Sequence, residues 1–326
     1  MGEGDPTAEK TATPEGTAGP SSASRRRSPK RVREVRLRQT GALVGIAVVA
    51  LVVGIVVGAA TGGGGRHGLR SAPATSYLSR IATLAGHGPG SLGATVSREE
   101  DAAITHTLSY TPYVRMAGAQ HRELALTFDD GPGPYTPQIL RVLQRTRARA
   151  TFFEVGLEDR YFARSTAKIV ALGDPIGDHT ETHTAMSHLS RRRQRGELLE
   201  EAAEMGDSGA PFPRMFRPPY GLWNAATLAL LRHYRMLMVL WSVDTDDWQR
   251  PGVEAIVRAA LRGATPGAII LLHDAGGDRS QTVAALPRII RGLRRRGYRL
   301  VTVPRLLLDN PAPRRQEVAS LKGAGG

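Results

Sequence analysis

Between Glu123 and Val303 short apolar runs alternate with segments whose apolar residues recur every three or four positions. The runs are Leu124–Phe128, Ala150–Val155, Pro175–Gly177, Met215–Arg217, Leu237–Val243, Ala268–Leu272 and Arg299–Val303. Helices are predicted between them, at about 137–147, 160–172, 189–206, 223–235, 252–263 and 281–296. The last places Leu286, Ile289, Ile290 and Leu293 on one face and Arg288, Arg291, Arg294 and Arg295 on others, the pattern of a helix lying on a core with a solvated side. Thr136-Pro137 reads as an N-cap followed by proline at the first helical position. Strand–helix alternation implies a parallel sheet with helical crossovers. The fold class is therefore α/β. Seven units in about 185 residues predict a distorted, incomplete (β/α) barrel of about seven parallel strands rather than a full eight-unit barrel.

Upstream the pattern differs. Ala42 to Ala60 is nineteen residues without a charge, rich in Val, Ile, Leu and Ala. At roughly 1.5 Å per residue this makes a helix of about 29 Å, against a hydrocarbon core of about 30 Å. A transmembrane signal-anchor helix is expected over 41–61, with cleavage as a signal peptide the alternative. Eight basic residues between Arg25 and Arg38, against Glu34 alone, supply half of the formal charge of +14. Only Arg66 and Arg70 closely follow the span, so the positive-inside rule puts the N-terminus in the cytoplasm and the rest outside the cytoplasmic membrane. Topology accounts for the strongest basic cluster, and no nucleic-acid partner is expected. The remaining boundaries are a disordered tail over 1–40, a Gly-rich flexible linker over 62–122, a catalytic domain over 123–306 and a disordered tail over 307–326. With no cysteine in 326 residues, disulfides, thiolate nucleophiles and cysteine-ligated metals are excluded.

Polar residues collect where the apolar runs end. Asp129 and Asp130 follow the first, His179 and His183 the third, Arg217 and Tyr220 the fourth, Asp244, Asp246, Asp247 and Trp248 the fifth, and His273 with Asp274 the sixth. In a parallel barrel these ends share one face, where catalytic groups sit. His179-Thr180-Glu181-Thr182-His183 spaces two imidazoles as on a helical turn, a spacing that suits a divalent metal. Either Asp129 or Asp130 supplies the carboxylate of a two-histidine, one-carboxylate set. Adjacent residues of a strand point to opposite sides, so one acid is expected at the metal and the other toward substrate. Such a set also binds iron in oxygenases. The Asp244–Trp248 run lacks the glycine and closing glutamate of a calcium loop.

Taken together, these residues resemble the polysaccharide deacetylase family (carbohydrate esterase family 4, the NodB homology domain). The matching segments are Thr127-Phe128-Asp129-Asp130-Gly131, His179-Thr180-x-x-His183, Arg217-Pro218-Pro219-Tyr220, Asp244-x-x-Asp247-Trp248 and Leu271-x-His273, in the family's order. Thr184 departs from the proline usual after the second histidine. The resemblance implies Asp130, His179 and His183 as ligands of one divalent ion, Zn2+ with Co2+, Ni2+ or Mn2+ as alternatives. It implies Asp129 as general base, held by Arg217, and His273 as general acid, oriented by Asp247. It also implies the Tyr220 N–H at the oxyanion, with Trp248 and Leu271 around the acetyl methyl. The expected activity is metal-dependent removal of N-acetyl groups from an N-acetylglucosamine polysaccharide, cell-wall peptidoglycan being the expected substrate. The alternatives on the same fold are an O-acetyl (acetylxylan-type) esterase and a catalytically idle wall-binding protein.

Overall fold

A computed structural model describes residues 96–317 of the chain. Helix α1 (Arg98–Leu108) and strand β1 (Tyr113–Val114) lead into β2 (Glu123–Gly131), α2 (Thr136–Thr146), β3 (Thr151–Glu154), α3 (Gly156–Leu172) and β4 (Ile176–Asp178). Next come α4 (Arg191–Asp207), β5 (Met215–Phe216), α5 (Ala225–Tyr234), β6 (Leu237–Val239), β7 (Val243–Asp244), α6 (Val253–Gly263), β8 (Ile269–His273), α7 (Ser280–Arg295), β9 (Arg299–Val301) and α8 (Val303–Asp309).

The strands run β1-β6-β5-β4-β3-β2-β8-β7, with β9 added to the first residues of β2, and every strand pair is parallel. Although β6 and β7 lie near opposite ends of this order, only residues 240–242 join them. So short a connection spans about 13 Å at most, so the sheet must curl until its ends nearly meet. An isolated antiparallel bridge, Met116 to Ala268, lies at that gap. The expected incomplete barrel is thus present, with nine strands rather than seven. Tyr113–Val114 had no readable pattern, and the run Leu237–Val243 divides in two. Leu240 N–H donates to Val114 at 2.7 Å while Ser242 N–H donates to Ile269 at 3.0 Å, so the chain changes neighbours within three residues.

Alternation along β2 sorts the core. Leu124, Leu126 and Phe128 pack outward with Ile139 and Leu143 of α2 and Leu286 and Ile290 of α7. Ala125 faces the barrel interior with Phe153, Phe216, Leu240 and Leu271. On α7 the apolar face is buried and Arg288, Arg291, Arg294 and Arg295 are exposed, as expected. Thr136 does begin α2, but its hydroxyl is turned to the Asp274 carboxylate instead of capping the helix.

Two boundaries need correction. Residues 96–122, expected as linker, fold with the barrel. Ser97 and Glu100 form a reciprocal capping box at the start of α1, Ile104 is fully buried, and β1 pairs with β6. The helix had escaped notice because it buries only Ile104 and Thr107 and so carries no apolar stripe. Residues 307–317 are also tied down, since Gln316 Oε1 accepts from the N–H groups of Arg115 at 2.8 Å and Met116 at 3.1 Å. The expected tail over 1–40, the span over 41–61 and the linker up to residue 95 lie outside the described residues. Among the described residues no helix is long and apolar enough to cross a membrane.

Candidate active site

Asp129 follows Ala125 and Thr127 on the inward face of β2 and is almost wholly buried. Its Oδ1 accepts from Arg217 Nη1 at 2.6 Å. Arg217, just after β5, is fully buried and spends its other donors on Thr127 Oγ1 (2.8 Å), the Val239 carbonyl (2.9 Å) and the Leu240 carbonyl (3.1 Å). Its guanidinium also lies 4.1 Å above the Phe153 ring. Burial pulls the Arg217 pKa down, and the Asp129 charge opposes that pull.

Asp130 does not diverge from Asp129 as strand alternation predicts. Its φ is +69° and the register with β3 slips between Asp129 and Gly131, so an irregular, left-handed residue ends the strand. Both carboxylates consequently reach one site: His179 Nε2 is 3.8 Å from Asp129 Oδ2 and 3.6 Å from Asp130 Oδ1. Gly276, itself at φ +71°, leaves the room this requires, because a Cβ there would meet Asp130 Oδ2 at 2.2 Å.

Nor do His179 and His183 sit on a helical turn. They occupy an irregular loop after β4 in which Thr180 (φ +73°) and His183 (φ +55°) are left-handed, and Asp178 Oδ1 accepts from the Thr180 N–H at 2.8 Å. The loop still brings the rings to 5.0 Å centroid separation. His183 packs edge-on to Tyr220 at 4.8 Å. The Arg217 carbonyl lies 2.7 Å from His179 Nδ1, and a carbonyl can only accept, so Nδ1 carries the proton and Nε2 offers its lone pair to the site.

One atom each from Asp130, His179 and His183 lie within 4.8 Å of one another. Asp130 Oδ1 is buried, is 3.1 Å from His183 Nε2, and accepts no well-directed hydrogen bond. Burial works against the Asp130 charge, but the two imidazoles outweigh it and hold the pKa well below the usual carboxylate range. An orphaned carboxylate oxygen facing two imidazole nitrogens, one fixed as an acceptor, is a donor set that fits a divalent cation.

On the other flank, His273 ends β8 in register with Asp129 of β2. Its Nδ1 lies 2.7 Å from Asp247 Oδ1, while Asp247 Oδ2 accepts from the His273 N–H at 2.9 Å and the Thr282 hydroxyl at 2.7 Å. Burial disfavours a charged His273, yet Asp247, then Asp130 and Asp129, raise its pKa from 6.5 to about 9. Tyr220 (φ +60°) and Trp248 stand exposed on tight turns, whereas Leu271 is buried in the barrel interior. Thus nine of the ten residues implied by the resemblance lie at the carboxyl ends of the strands or in the loops that follow them, and Leu271 lies in the middle of β8. Thr127 and Thr282, which brace Arg217 and Asp247, went unnoticed. Thr127 is readable as one alternation step before Asp129, but Thr282, on α7, has no local signal.

Beneath the site lies a layer of fully or nearly fully buried acids: Glu154, Asp159, Asp178 and Glu201. Burial raises Asp159 to about 7 and pushes the other three well above the carboxylate range, so this layer retains protons.

The chain is similar to known proteins. The family model described as polysaccharide deacetylase matches residues 117–239. A peptidoglycan-N-acetylglucosamine deacetylase of Bacillus cereus is 41% identical over 187 residues, covering 56% of this chain and 87% of the relative. A chitooligosaccharide deacetylase of Sinorhizobium fredii is 40% identical over 210 residues, covering 60% and 97%. Among solved structures, the Bc1960 peptidoglycan N-acetylglucosamine deacetylase superposes with a TM-score of 0.60 at 30% identity, covering 64% of this chain and 97% of that one. An α/β barrel with this arrangement of acids and imidazoles, matched over nearly the full length of such relatives, makes the chain a hydrolase of the polysaccharide deacetylase family.

Proposed function

We propose that the protein hydrolyses the N-acetyl groups of N-acetylglucosamine residues in a polysaccharide, peptidoglycan of the cell wall, with one divalent metal ion, Zn2+, held by Asp130, His179 and His183. The observation that carries this reading is the flanking of one arginine-held carboxylate, Asp129, by the carbonyl-held imidazole of His179 at 3.8 Å and by the strand-paired imidazole of His273, whose pKa is raised to about 9. The named activities of the relatives support the substrate class.

When bound, the metal supplies Lewis acidity, polarising the acetyl carbonyl and acidifying water. Asp129 accepts the proton as water attacks that carbonyl. Arg217 holds Asp129 Oδ1 and so leaves Oδ2 turned toward the site. The Tyr220 N–H donates to the oxygen on which charge develops. His273 then gives its Nε2 proton to the amide nitrogen as the C–N bond breaks, so that acetate and an amine leave. Asp247 keeps that proton available by holding Nδ1. Tyr135, Glu158, Phe162 and Ala275–Asp278 line a groove of about 710 Å³, a path for the glycan past Gly276 beside Asp130.

The domain is proposed to work outside the cytoplasmic membrane, tethered through the apolar span expected over 41–61. Protease added to intact protoplasts is expected to digest it, and complete protection reverses the topology. Acetate release from purified peptidoglycan, chitin oligomers and acetylxylan tests the activity. Release from the first two is expected. Release from acetylxylan alone makes the protein an O-acetyl esterase, and release from none makes it an idle binder.

A further inference from the structure

The amino ends of the parallel strands, opposite the site, carry a different chemistry. Arg122 precedes β2, Arg145 and Arg147 end α2, and Arg294, Arg295 and Arg296 end α7; all six are exposed. They form one continuous patch. Arg294 donates to the carbonyls of Thr146 (2.6 Å) and Arg147 (2.9 Å), Arg122 Nε donates to the Arg296 carbonyl (2.7 Å), and Arg122 lies 4.6 Å above the Tyr298 ring. Among the described residues none of the six is ion-paired to a carboxylate, whereas the adjoining Arg149, Arg299 and Arg305 are, to Asp174 (2.7 Å), Glu123 (2.8 Å) and Asp309 (2.7 Å). The patch borders a groove of about 1030 Å³ whose walls include Arg149, Arg299, Arg305 and Ser97. Ser97 caps α1, the first described helix. Thirty-six residues of sequence separate it from Ala60, the last residue of the apolar run.

We propose that this arginine face docks on the anionic phospholipid surface of the membrane that anchors the chain, which turns the catalytic face away from the bilayer. The proposal rests on the membrane anchoring put forward above. Charge complementarity supplies the attraction, and guanidinium groups suit phosphate oxygens. The six arginines come from three separate stretches of chain and spread over one end of the molecule, which matches an extended anionic surface better than a single convergent ligand. Helix α1, whose cap residue Ser97 lines the groove, also begins at this face. Each basic group near such a surface is worth roughly a fivefold shift in the docked-to-undocked ratio.

The full chain reconstituted into vesicles tests the idea, and the absence of cysteine permits single-site labels. Gln144→Cys reports on the arginine end and Gln249→Cys on the opposite end; both positions are exposed. With headgroup nitroxide quenchers, the label at 144 should be quenched on vesicles containing 30% phosphatidylglycerol, about the anionic fraction that gives cell-like surface potentials. Pure phosphatidylcholine should leave it unquenched, and the label at 249 should stay unquenched on both. In the triple variant Arg145→Glu, Arg147→Glu, Arg295→Glu, quenching at 144 should vanish as the docked ratio falls by at least about 100-fold. Circular dichroism and acetate release should be unchanged, since the three side chains are exposed and make no hydrogen bond or ion pair among the described residues. Equal quenching on both lipids, or quenching that survives charge reversal, overturns the proposal. Reversal-sensitive binding of soluble polyphosphate without quenching on phosphatidylglycerol also overturns it, in favour of a polymer site. Failure of the full chain to float with phosphatidylcholine vesicles overturns the anchoring instead, and binding to phosphatidylglycerol vesicles then tests the arginine face by itself.

Discussion

His179 and His273 are both almost buried, both come from the loop or strand end above the same sheet, and both have Nδ1 held by an oxygen 2.7 Å away. They differ in what that oxygen belongs to. For His179 it is the Arg217 carbonyl, a neutral acceptor that fixes a proton on Nδ1 and leaves Nε2 facing the site. For His273 it is the Asp247 carboxylate, whose charge more than offsets burial and lifts the pKa to about 9. The partner behind the ring therefore decides whether the front nitrogen receives a cation or delivers a proton.

The comparison can be broken from either side. The largest effects are expected on the proton-transfer side: Asp129→Asn and His273→Ala should each lower turnover by about 10²–10⁴-fold while metal content by elemental analysis stays near one per chain. Asp130→Ala and His179→Ala should lose metal and activity together. If Asp129→Asn empties the site while Asp130→Ala keeps its metal, the two aspartates have exchanged roles. Asp247→Asn should act less severely, by about 10- to 100-fold, the usual cost of removing a group that orients another. Its signature is in the pH profile. An acid must be protonated to act, so wild-type activity should fall as pH rises through about 9. With Asp247 neutral, burial is left opposing less charge, and the alkaline limb should move down toward the ordinary imidazole value of 6.5. An unmoved limb would assign it to another group. Smallest is Thr282→Val, which removes one neutral donor from Asp247. It should lower unfolding stability by about 1 kcal/mol and leave metal content untouched, as chemical denaturation and elemental analysis would report.

Much of the site was legible because chemistry-bearing residues sit directly after apolar runs, and parallel topology gathers such positions on one face. The local geometry was not. Strand alternation sent Asp129 and Asp130 apart, whereas a single left-handed residue brings them together. Helical spacing was assumed for His179 and His183, yet two left-handed residues in a loop achieve the same approach. Positive φ at a non-glycine is imposed by surrounding contacts and leaves little trace in residue choice, although aspartate tolerates it better than most. Helix α1 leaves no pattern for another reason: it packs chiefly on α8 and less on β6, and buries only two of its own residues.

Arg217 joins both stories. Its guanidinium ties β2, through Thr127 and Asp129, to the last residue of β6 and the one after it, while its carbonyl holds His179. It works as a keystone, in that the curled sheet and the poised carboxylate depend on one set of hydrogen bonds. Assembly and arming then become a single event. A chain whose barrel has not closed has no oriented base and no fixed imidazole tautomer, so partly folded molecules should be silent rather than weakly active. Activity per mole of protein would count correctly folded molecules.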